Sequence, residues 1–468
     1  MNQFLGKLSL LPIVLLTSIY CRAQPVSGQW SPRVDSLVLA EMQKQNVPGI
    51  SVVVLRDGKI DHINGYGLAN IEHKVPVKPE TIFQSGSVGK QFTAFAIMLL
   101  VEDGKIRLDD RLTKFFPDAP GSWDSITVKN LLTHTAGFGE YMENFNFRAD
   151  YTEDSLYRIF KKIPLKFSAG EKSEYSNMGY VTLGIIISKV AGQFYGEFLK
   201  QRIFDPLGMT TARIISESDI IPNRAAGYQM LDGEIKNQSW VAPSINTTAD
   251  GSLYVTALDM AKWEAGLNAG KLLKKESYAM MWSPVQLNDG SWYSYGFGWA
   301  IDSLQGNKII EHNGSWQGFE ATIKRYPGKK LSVVVFANLS RTNTNKIATR
   351  ILELYEPELK KPVLKAIKDN EPAVTAIVKD FIVQLVKNQL KEDLFTAEMA
   401  QRFIPRSGRA SAHLKSLGDF MGIELLQKKM LDKENREYHY RVLFSKENEE
   451  LLITMTKDNK IAAIEGRD

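Results

Sequence analysis

Two strand-rich segments lie far apart in this chain, on either side of a stretch dominated by helical patterns. Residues 49–71 read GISVVVLRDGKIDHINGYGLANI and predict two strands joined by a tight turn at Asp57-Gly58. Strand patterns return in four runs between 295 and 338, the first of them YGFGWAID at 295–302. We therefore expect one antiparallel sheet that the returning chain completes, with a helical block inserted between its two halves.

Helical periodicity accounts for most of the intervening sequence. An amphipathic helix at 34–46 precedes the first strand, and a helix at 342–355 is expected to pack on the sheet. Helical patterns dominate between about 87 and 285, among them those at 127–134, 154–162, 178–191, 195–204 and 257–267. The fold class that follows is mixed α/β (α+β), an antiparallel sheet flanked by helices.

A second domain is predicted at 361–468. It follows a segment rich in charge and proline, YEPELKKPVLKAIKDNEP. Helical patterns at 373–390 and 395–403 precede four apolar-alternating runs near 421–431, 436–445, 449–456 and 460–465. We interpret this as a small, separate α+β domain that is a candidate for binding a partner.

The first 23 residues have the features of a secretory signal peptide. An early lysine precedes an apolar run from Leu8 to Ile19, and small residues flank a cleavage position after Ala23. We therefore expect an exported protein, periplasmic or secreted, without a transmembrane segment in the mature chain. A lipoprotein anchored at Cys21 is disfavoured because the bulky Tyr20 precedes that cysteine.

Composition excludes several classes of function. Cys21 is the only cysteine, so the chain after residue 23 has no thiol for a disulfide, a metal or nucleophilic catalysis. The formal net charge is only +5 over 468 residues, without basic clusters interleaved with aromatic residues, so no nucleic-acid partner is expected. The six histidines are widely spaced, and we predict neither a metal nor a cofactor: His62, His73, His134, His312, His413 and His439.

Ser87 and Lys90 form the only S-x-x-K in the chain, where a glycine-rich turn meets the apolar run QFTAFAIMLL. The two side chains share one face of the first helical turn. Serine is also a favoured N-cap and lysine an ordinary helix former. The segment alone therefore leaves a reactive pair and a simple helix start equally open.

Two further motifs follow in order. Tyr175-Ser176-Asn177 is the only Y-x-N and directly precedes a strong helical pattern. His312-Asn313-Gly314 ends a predicted strand. Taken singly, such a tyrosine is usually a packing residue and such a histidine a turn residue.

In this order, the three motifs resemble those of the class C β-lactamase and penicillin-binding serine hydrolase family. The segments ITVKNLLTHTAGF, TADGSLYVTALDMAKW and YGFGWAI also resemble that family, and the similarity covers roughly 30–355. The resemblance implies a β-lactamase/transpeptidase-like hydrolase domain at 24–360. The family that the chain resembles includes D-Ala-D-Ala carboxypeptidase, D-aminopeptidase and esterase members.

The resemblance also implies roles for individual residues. Ser87 would attack the substrate carbonyl, while Lys90 and Tyr175 would take its proton and return it to the leaving group. Asn177 would bind substrate and help to hold Lys90. The oxyanion would lie between the backbone N–H groups of Ser87 and Ser315.

His312 and Gly314 complete the substrate-binding set, and here the chain departs from many family members, which carry lysine in place of His312. A histidine with a pKa near 6.5 is mostly neutral at pH 7 and attracts a substrate carboxylate only when protonated. We therefore expect D-amino-acid peptides or small esters as substrates ahead of β-lactams, with a KM for carboxylate substrates that rises through the histidine pKa. His134 is expected to be structural.

Two alternatives to a turning-over hydrolase remain open on the sequence. One is a penicillin-binding receptor or scaffold whose acyl-enzyme deacylates very slowly. The other is a regulatory binding protein with an idle site, which the presence of Ser87, Lys90, Tyr175 and Asn177 argues against. The walls of the pocket come from loops, so the sequence does not name the substrate.

Overall fold

The two strand-rich segments pair into one sheet in the computed structural model, which describes residues 29–139, 145–360 and 362–467. The predicted signal peptide lies outside these residues. The strands are β1 (Gly49–Arg56), β2 (Lys59–Asn70), β3 (Val75–Pro76), β4 (Phe83–Gln84), β5 (Arg213–Ile214), β6 (Tyr228–Leu231), β7 (Glu234–Asn237), β8 (Leu253–Val255), β9 (Val285–Gln286), β10 (Trp292–Tyr293), β11 (Ala300–Leu304), β12 (Asn307–Trp316), β13 (Phe319–Tyr326), β14 (Leu331–Ala337), β15 (Phe420–Met430), β16 (Asn435–Phe444), β17 (Glu449–Thr456) and β18 (Ile461–Arg467).

Helices up to Tyr355 cover both faces of that sheet, and the helices after residue 361 belong to the separate sheet β15-β16-β17-β18. The helices are α1 (Ser31–Gln45), α2 (Lys90–Glu102), α3 (Val128–Leu132), α4 (Glu153–Phe160), α5 (Asn177–Ala191), α6 (Tyr195–Leu199), α7 (Asp205–Leu207), α8 (Ala257–Asn268), α9 (Lys275–Met281), α10 (Thr344–Tyr355), α11 (Pro372–Lys387), α12 (Ala397–Phe403) and α13 (Ser407–Ser416).

The main sheet has the strand order β11-β12-β13-β14-β1-β2-β3. β1 pairs antiparallel with β14 from Ile50 opposite Ala337 to Arg56 opposite Leu331, so the late strands complete the sheet that the first hairpin begins. The run GISVVVLR of β1 is buried over its first seven residues, as expected for a central strand covered on both faces. The predicted sheet, with its inserted helical block, is confirmed.

Two hydrophobic cores lie on opposite faces of the sheet. α1 and α10 cover one face with residues at helical spacing, such as Val34 and Val38 on α1 and Ile347 and Ile351 on α10. The inserted helices cover the other face. Among them α2 is buried on nearly all sides because its sequence, KQFTAFAIMLLVE, is apolar almost throughout.

One predicted strand is shorter than expected, and a helix of the second unit was missed. The run at 295–302 becomes a strand only at Ala300. Before it, the N–H of Phe297 bonds to the carbonyl of Met281, and Gly298 has φ +76° against the start of α2, where a Cβ would lie 2.8 Å from Gln91 Cα. Close packing on α2 therefore overrides the strand pattern. The missed helix is α13, whose sequence SGRASAHLKS carries little apolar signal.

The chain divides into two compact units after Lys360. In the second unit, α11, α12 and α13 pack on the antiparallel sheet β15-β16-β17-β18 around its own core, which includes Phe381, Tyr438 and Ile453. The four predicted strand runs all form strands. Within the described ranges of both units, no helix combines the length and apolar character needed to cross a bilayer.

A buried ion pair joins the inserted helices to the main sheet. Glu264 on α8 accepts hydrogen bonds from Arg325 Nε on β13, at 2.9 Å, and from the Ser332 hydroxyl on β14, at 2.5 Å. The Glu264 side chain is fully buried and that of Arg325 is 4% exposed. The Arg325 guanidinium also lies over the Trp282 ring. Removing one partner leaves the other charge buried and unpaired.

We predict that Glu264→Ala lowers the free energy of unfolding of the first unit by about 3–5 kcal/mol, because Arg325 loses its carboxylate. All eight tryptophans precede residue 360, so the denaturant midpoint of tryptophan fluorescence reports on this unit alone. The control is Asp109→Ala, which breaks the exposed pair with Arg107 and should leave the midpoint unchanged. Equal midpoints for the two variants would contradict the role of the buried pair.

Candidate active site

Ser87 lies in a 3-10 turn, Gly86–Gly89, that leads directly into α2. Gly89 is the N-cap of α2, and neither the turn nor the helix has a side-chain cap. Ser87 therefore does not act as a simple helix cap. The Ser87 hydroxyl instead contacts Lys90, whose Nζ donates to Ser87 Oγ at 3.1 Å.

Lys90 is completely buried and its amine has three polar partners. Besides Ser87 Oγ, Nζ donates to Asn177 Oδ1 at 2.7 Å and to the carbonyl oxygen of Asp250. Three acceptors match the three hydrogens of an ammonium group. Nζ also lies 4.9 Å from the centroid of the Tyr175 ring and 5.5 Å from that of Tyr180. Segments far apart in the sequence thus converge on one nitrogen.

The start of α5 positions the Y-x-N motif. Ser176 is the N-cap, and its hydroxyl accepts the N–H of Gly179, which leaves Asn177 as the first helical residue. The N–H of Ser176 donates to His134 Nδ1 at 3.1 Å. Tyr175 is 39% exposed although Lys90, His134 and Ser176 beside it are buried, so this tyrosine presents part of its ring to solvent.

His134 supports the Y-x-N segment through its hydrogen bond with Ser176. Burial lowers the pKa of His134 well below its usual value, and the nearby charge of Lys90 lowers it further. The ring is therefore neutral and accepts the backbone hydrogen bond from Ser176. Its centroid lies 4.3 Å from that of Tyr175. This contact set gives His134 a supporting role.

The end of β12 lies directly against the Ser87 turn. A Cβ on Gly314 would lie 2.1 Å from Ser85 O and 2.9 Å from Ser87 N, and a Cβ on Gly86, where φ is +50°, would lie 2.5 Å from Ser315 N. Only glycine permits this approach at either position. The backbone amides of Ser87 and Ser315 therefore belong to two segments in contact.

His312 lies on the same strand but does not have the expected properties. Its Nδ1 is 2.6 Å from the carbonyl of Asn313, which only accepts, so Nδ1 carries the hydrogen. In the neutral ring Nε2 then accepts from the Tyr295 hydroxyl at 2.8 Å. Burial, together with the charge of Lys90, lowers the pKa of His312 to about 3. The expectation of a histidine that titrates near neutral pH is not met, because desolvation opposes its charge and both ring nitrogens have hydrogen-bond partners.

The residues that sequence reasoning missed are mostly aromatic. Tyr180 donates its hydroxyl to the Leu132 carbonyl at 2.8 Å, and Tyr295 donates to His312. The rings of Tyr295, His134 and His312 lie within 6.5 Å of the Tyr175 ring, and the Tyr180 ring packs on His134. The YGFGWAI segment contained Tyr295, but only the fold shows that its ring contacts the site. The Asp250 carbonyl had no signal of its own because any residue supplies a backbone acceptor.

The described residues contain no group of three or more side chains suited to holding a metal ion. The chemistry available at this site is that of a hydroxyl beside an amine, a phenol and backbone N–H groups. Such a set suits nucleophilic acyl transfer.

Comparison with known proteins agrees with this geometry. The family model described as Beta-lactamase matches residues 34–356. Penicillin-binding protein 4* of Bacillus subtilis (strain 168) is 28% identical over 306 residues, which are 62% of this chain and 67% of that protein. The D-aminopeptidase of Gluconobacter oxydans (strain 621H) is 27% identical over 349 residues, 71% of this chain and 64% of that protein.

Solved structures share the fold. The octameric penicillin-binding protein homologue from Pyrococcus abyssi superposes with a TM-score of 0.64 at 25% identity, covering 92% of this chain and 97% of that one. The D-amino acid amidase from Ochrobactrum anthropi SV3 gives a TM-score of 0.63 at 22% identity over 70% of this chain and 99% of that one. The chain belongs to the beta-lactamase family of serine hydrolases, which confirms the predicted family and fold class.

The state of His312 generates a kinetic prediction. Because its ring stays neutral, the KM of a carboxylate-bearing substrate and that of a matched neutral ester should have the same pH dependence between about pH 5 and 8. His312→Gln, which keeps a side-chain acceptor for Tyr295, should not alter that parallel behaviour. A KM that rises near pH 6.5 for the carboxylate substrate alone, and only in the protein with His312, would restore the titrating histidine.

Proposed function

We propose that this protein is an exported serine acyl hydrolase that works through an acyl-enzyme on Ser87, with D-amino-acid peptides or small esters as substrates. The observation that carries the proposal is the contact at 3.1 Å between Nζ of the buried Lys90 and Ser87 Oγ. A serine hydroxyl is a weak nucleophile unless an adjacent group takes its proton. Export rests on the signal-peptide pattern of residues 1–23.

In the first step Ser87 Oγ attacks the acyl carbon of the substrate, and its proton passes to a group that lacks one, either Lys90 as the neutral amine or Tyr175 as the phenolate. The carbonyl oxygen becomes an oxyanion, which the N–H groups of Ser87 and Ser315 would stabilise. Collapse of this intermediate breaks the bond to the leaving group, which receives the proton. Water then attacks the acyl carbon and releases Ser87 and the acid.

Asn177 has two duties in this scheme. Its Oδ1 accepts from Lys90, which fixes the orientation of the amide group. The amide nitrogen is then directed away from Lys90 and would donate to the substrate. Gly314 has no side chain and therefore lets β12 approach the Ser87 turn. His312 supports Tyr295 through their hydrogen bond rather than binding a carboxylate.

The D-amino-acid preference is supported by two relatives. The D-aminopeptidase of Gluconobacter oxydans matches the chain in sequence, and the D-amino acid amidase of Ochrobactrum anthropi matches it in fold. Without a permanent cation at position 312, the site is less suited to the carboxylate of a β-lactam. The tests are therefore D-aminoacyl amides and their L enantiomers, p-nitrophenyl esters, and nitrocefin.

A second candidate is a penicillin-binding receptor with very slow deacylation, or a β-lactamase. It is favoured by the similarity to Penicillin-binding protein 4* and to the Pyrococcus abyssi homologue. The lifetime of a fluorescent penicillin on Ser87 separates these functions. A label that lasts for hours favours the receptor, and rapid hydrolysis of nitrocefin favours the β-lactamase.

Substitutions at the three reactive side chains test the mechanism. Ser87→Ala should abolish the acyl-enzyme and lower kcat by several orders of magnitude with an unchanged fold. Lys90→Ala and Tyr175→Phe should each lower kcat/KM by at least ~10², and the double variant should lose less than the product of the two, because the groups act as a unit. Tyr151→Phe is the control. Independent, multiplicative losses would show that Lys90 and Tyr175 do not share one proton transfer.

We also propose that residues 361–468 fold separately and contribute no catalytic group. The proposal is supported by the separate hydrophobic core of this unit. A chain ending at residue 360 should acylate on Ser87 at the rate of the full chain with a small ester. A folded truncated chain with a lower acylation rate would show that the second unit shapes the site.

A further inference from the structure

Ser315, whose backbone N–H is the second oxyanion donor in the proposed function, lies opposite Glu320 in the main sheet. The two residues are register partners between β12 and β13, so their side chains lie side by side on one face. Thr322, two residues after Glu320, hydrogen-bonds Thr344 on α10 at 2.8 Å, which identifies this as the α10 face. Gly314 lies on the opposite face against Ser87. Glu320 thus lies behind the strand that carries the oxyanion donor.

Glu320 joins two segments through a single carboxylate oxygen. Its Oε1 accepts the Ser315 hydroxyl at 2.9 Å and the backbone N–H of Arg341 at 2.7 Å. Arg341 belongs to the loop between β14 and α10 and has φ +67°, a conformation that a non-glycine residue rarely adopts without support. The Ser315 end of β12 is therefore tied to a loop at the start of α10.

The tie adds to the contacts that hold this end of β12, which pairs with β13 as far as Trp316. β11 pairs with β12 only from Asn307 to Glu311, so the segment from His312 onward has no sheet partner on that side and lies against the Ser87 turn instead. A shift of a few tenths of an ångström would move the Ser315 amide relative to Ser87. Oxyanion stabilisation depends steeply on such placement.

The electrostatic setting of the Glu320 carboxyl is unusual. Burial raises the pKa of Glu320 to about 7, although the hydrogen bonds from Arg341 and Ser315 and the charge of Arg341 act in the opposite direction. The Arg341 guanidinium is the charged group that acts on it. Its uncharged neighbours include the Ser315 hydroxyl on β12, the Arg341 amide in the loop, and Ala337, its partner on β14.

We propose that Glu320 is a positioning residue for the oxyanion hole, which holds the Ser315 amide against the Ser87 turn through the Ser315 side chain. The inference rests on the proposed acyl-enzyme function and adds a residue that touches neither substrate nor Ser87. Charge-assisted hydrogen bonds are about twice as strong as neutral ones, so ionised Glu320 holds Ser315 more firmly than protonated Glu320 does.

Three variants separate positioning from general stability. Glu320→Gln keeps an Oε1 acceptor for both donors, Glu320→Ala removes it, and Glu276→Gln changes an exposed glutamate on α9 as the matched control. On a neutral ester, Glu320→Ala should lower kcat about tenfold or more with little change in KM. Complete removal of one oxyanion donor lowers kcat by about 10²–10³, and a displaced donor should cost only part of that factor. Glu320→Gln should recover most of that loss, and Glu276→Gln should have no effect.

The pH profile supplies a second readout. As pH falls from 8 to 6, wild-type kcat should decline relative to Glu320→Gln by about threefold, because only the wild-type carboxyl loses its charge near pH 7. Ser315→Ala, which breaks the link but keeps the backbone amide, should show no such decline relative to Ser315→Ala/Glu320→Gln.

Hydrogen exchange tests the same inference without relying on turnover. Amides of residues 312–318 should exchange faster in Glu320→Ala than in Glu320→Gln, while α2 is unaffected. Unchanged exchange and unchanged kcat in Glu320→Ala, with Ser87 still acylated, would overturn the positioning role and leave the proposed function intact. Failure of Ser87 to be acylated in the wild type would overturn the proposed function, and the exchange result would still decide whether Glu320 holds the strand.

Discussion

The site depends on the burial of one amine. Lys90 has no solvent-accessible surface, and taking a charged group out of water costs several kcal/mol unless polar partners replace the solvent. Those partners come from the 3-10 turn, from the start of α5 and from the carbonyl of Asp250. Because each acceptor belongs to a different segment, the inserted helices must pack correctly before the amine is satisfied. The packing that provides hydrogen-bond partners for Lys90 therefore also positions Ser87 and Asn177.

Burial and the same charge act on the neighbouring histidines. Burial, with the charge of Lys90 as the smaller cause, lowers the pKa values of His134 and His312, so both rings are neutral and serve as hydrogen-bonding supports. His134 accepts the N–H that precedes Asn177, and His312 accepts the hydroxyl of Tyr295. The tyrosines that pack on these rings leave Tyr175 as the partly exposed phenol beside Lys90. Uncharged histidine and tyrosine rings thus lie around the buried charge of Lys90, next to Ser87.

Sequence patterns predicted secondary structure and site residues correctly where the type of side chain determined them. Apolar periodicity predicted the central strand β1 and the helices α1, α8 and α10, and the S-x-x-K, Y-x-N and H-x-G motifs predicted residues that the fold brings to one place. Patterns of this kind report burial and local backbone preference. They succeed for long regular elements because packing and propensity agree there.

The failures have a common physical cause, which is that the deciding contacts are made across the fold. The start of β11 was misplaced because Gly298 packs on α2, and α13 was missed because its packing face has few apolar residues. The pKa of His312 could not be inferred since the burial and the Lys90 charge that lower it come from other segments. Backbone acceptors such as Asp250 O leave no trace in residue type, and Glu320 acts through a cross-strand neighbour.

The most direct test of the account is the mass of the protein during turnover. The protein would be mixed with a p-nitrophenyl ester of a D-amino acid, quenched in acid, and measured intact and after digestion. We expect one acyl group per chain on the peptide that contains Ser87, formed far more slowly in Lys90→Ala. Turnover that continues in Ser87→Ala, or an acyl group on a different residue, would contradict it.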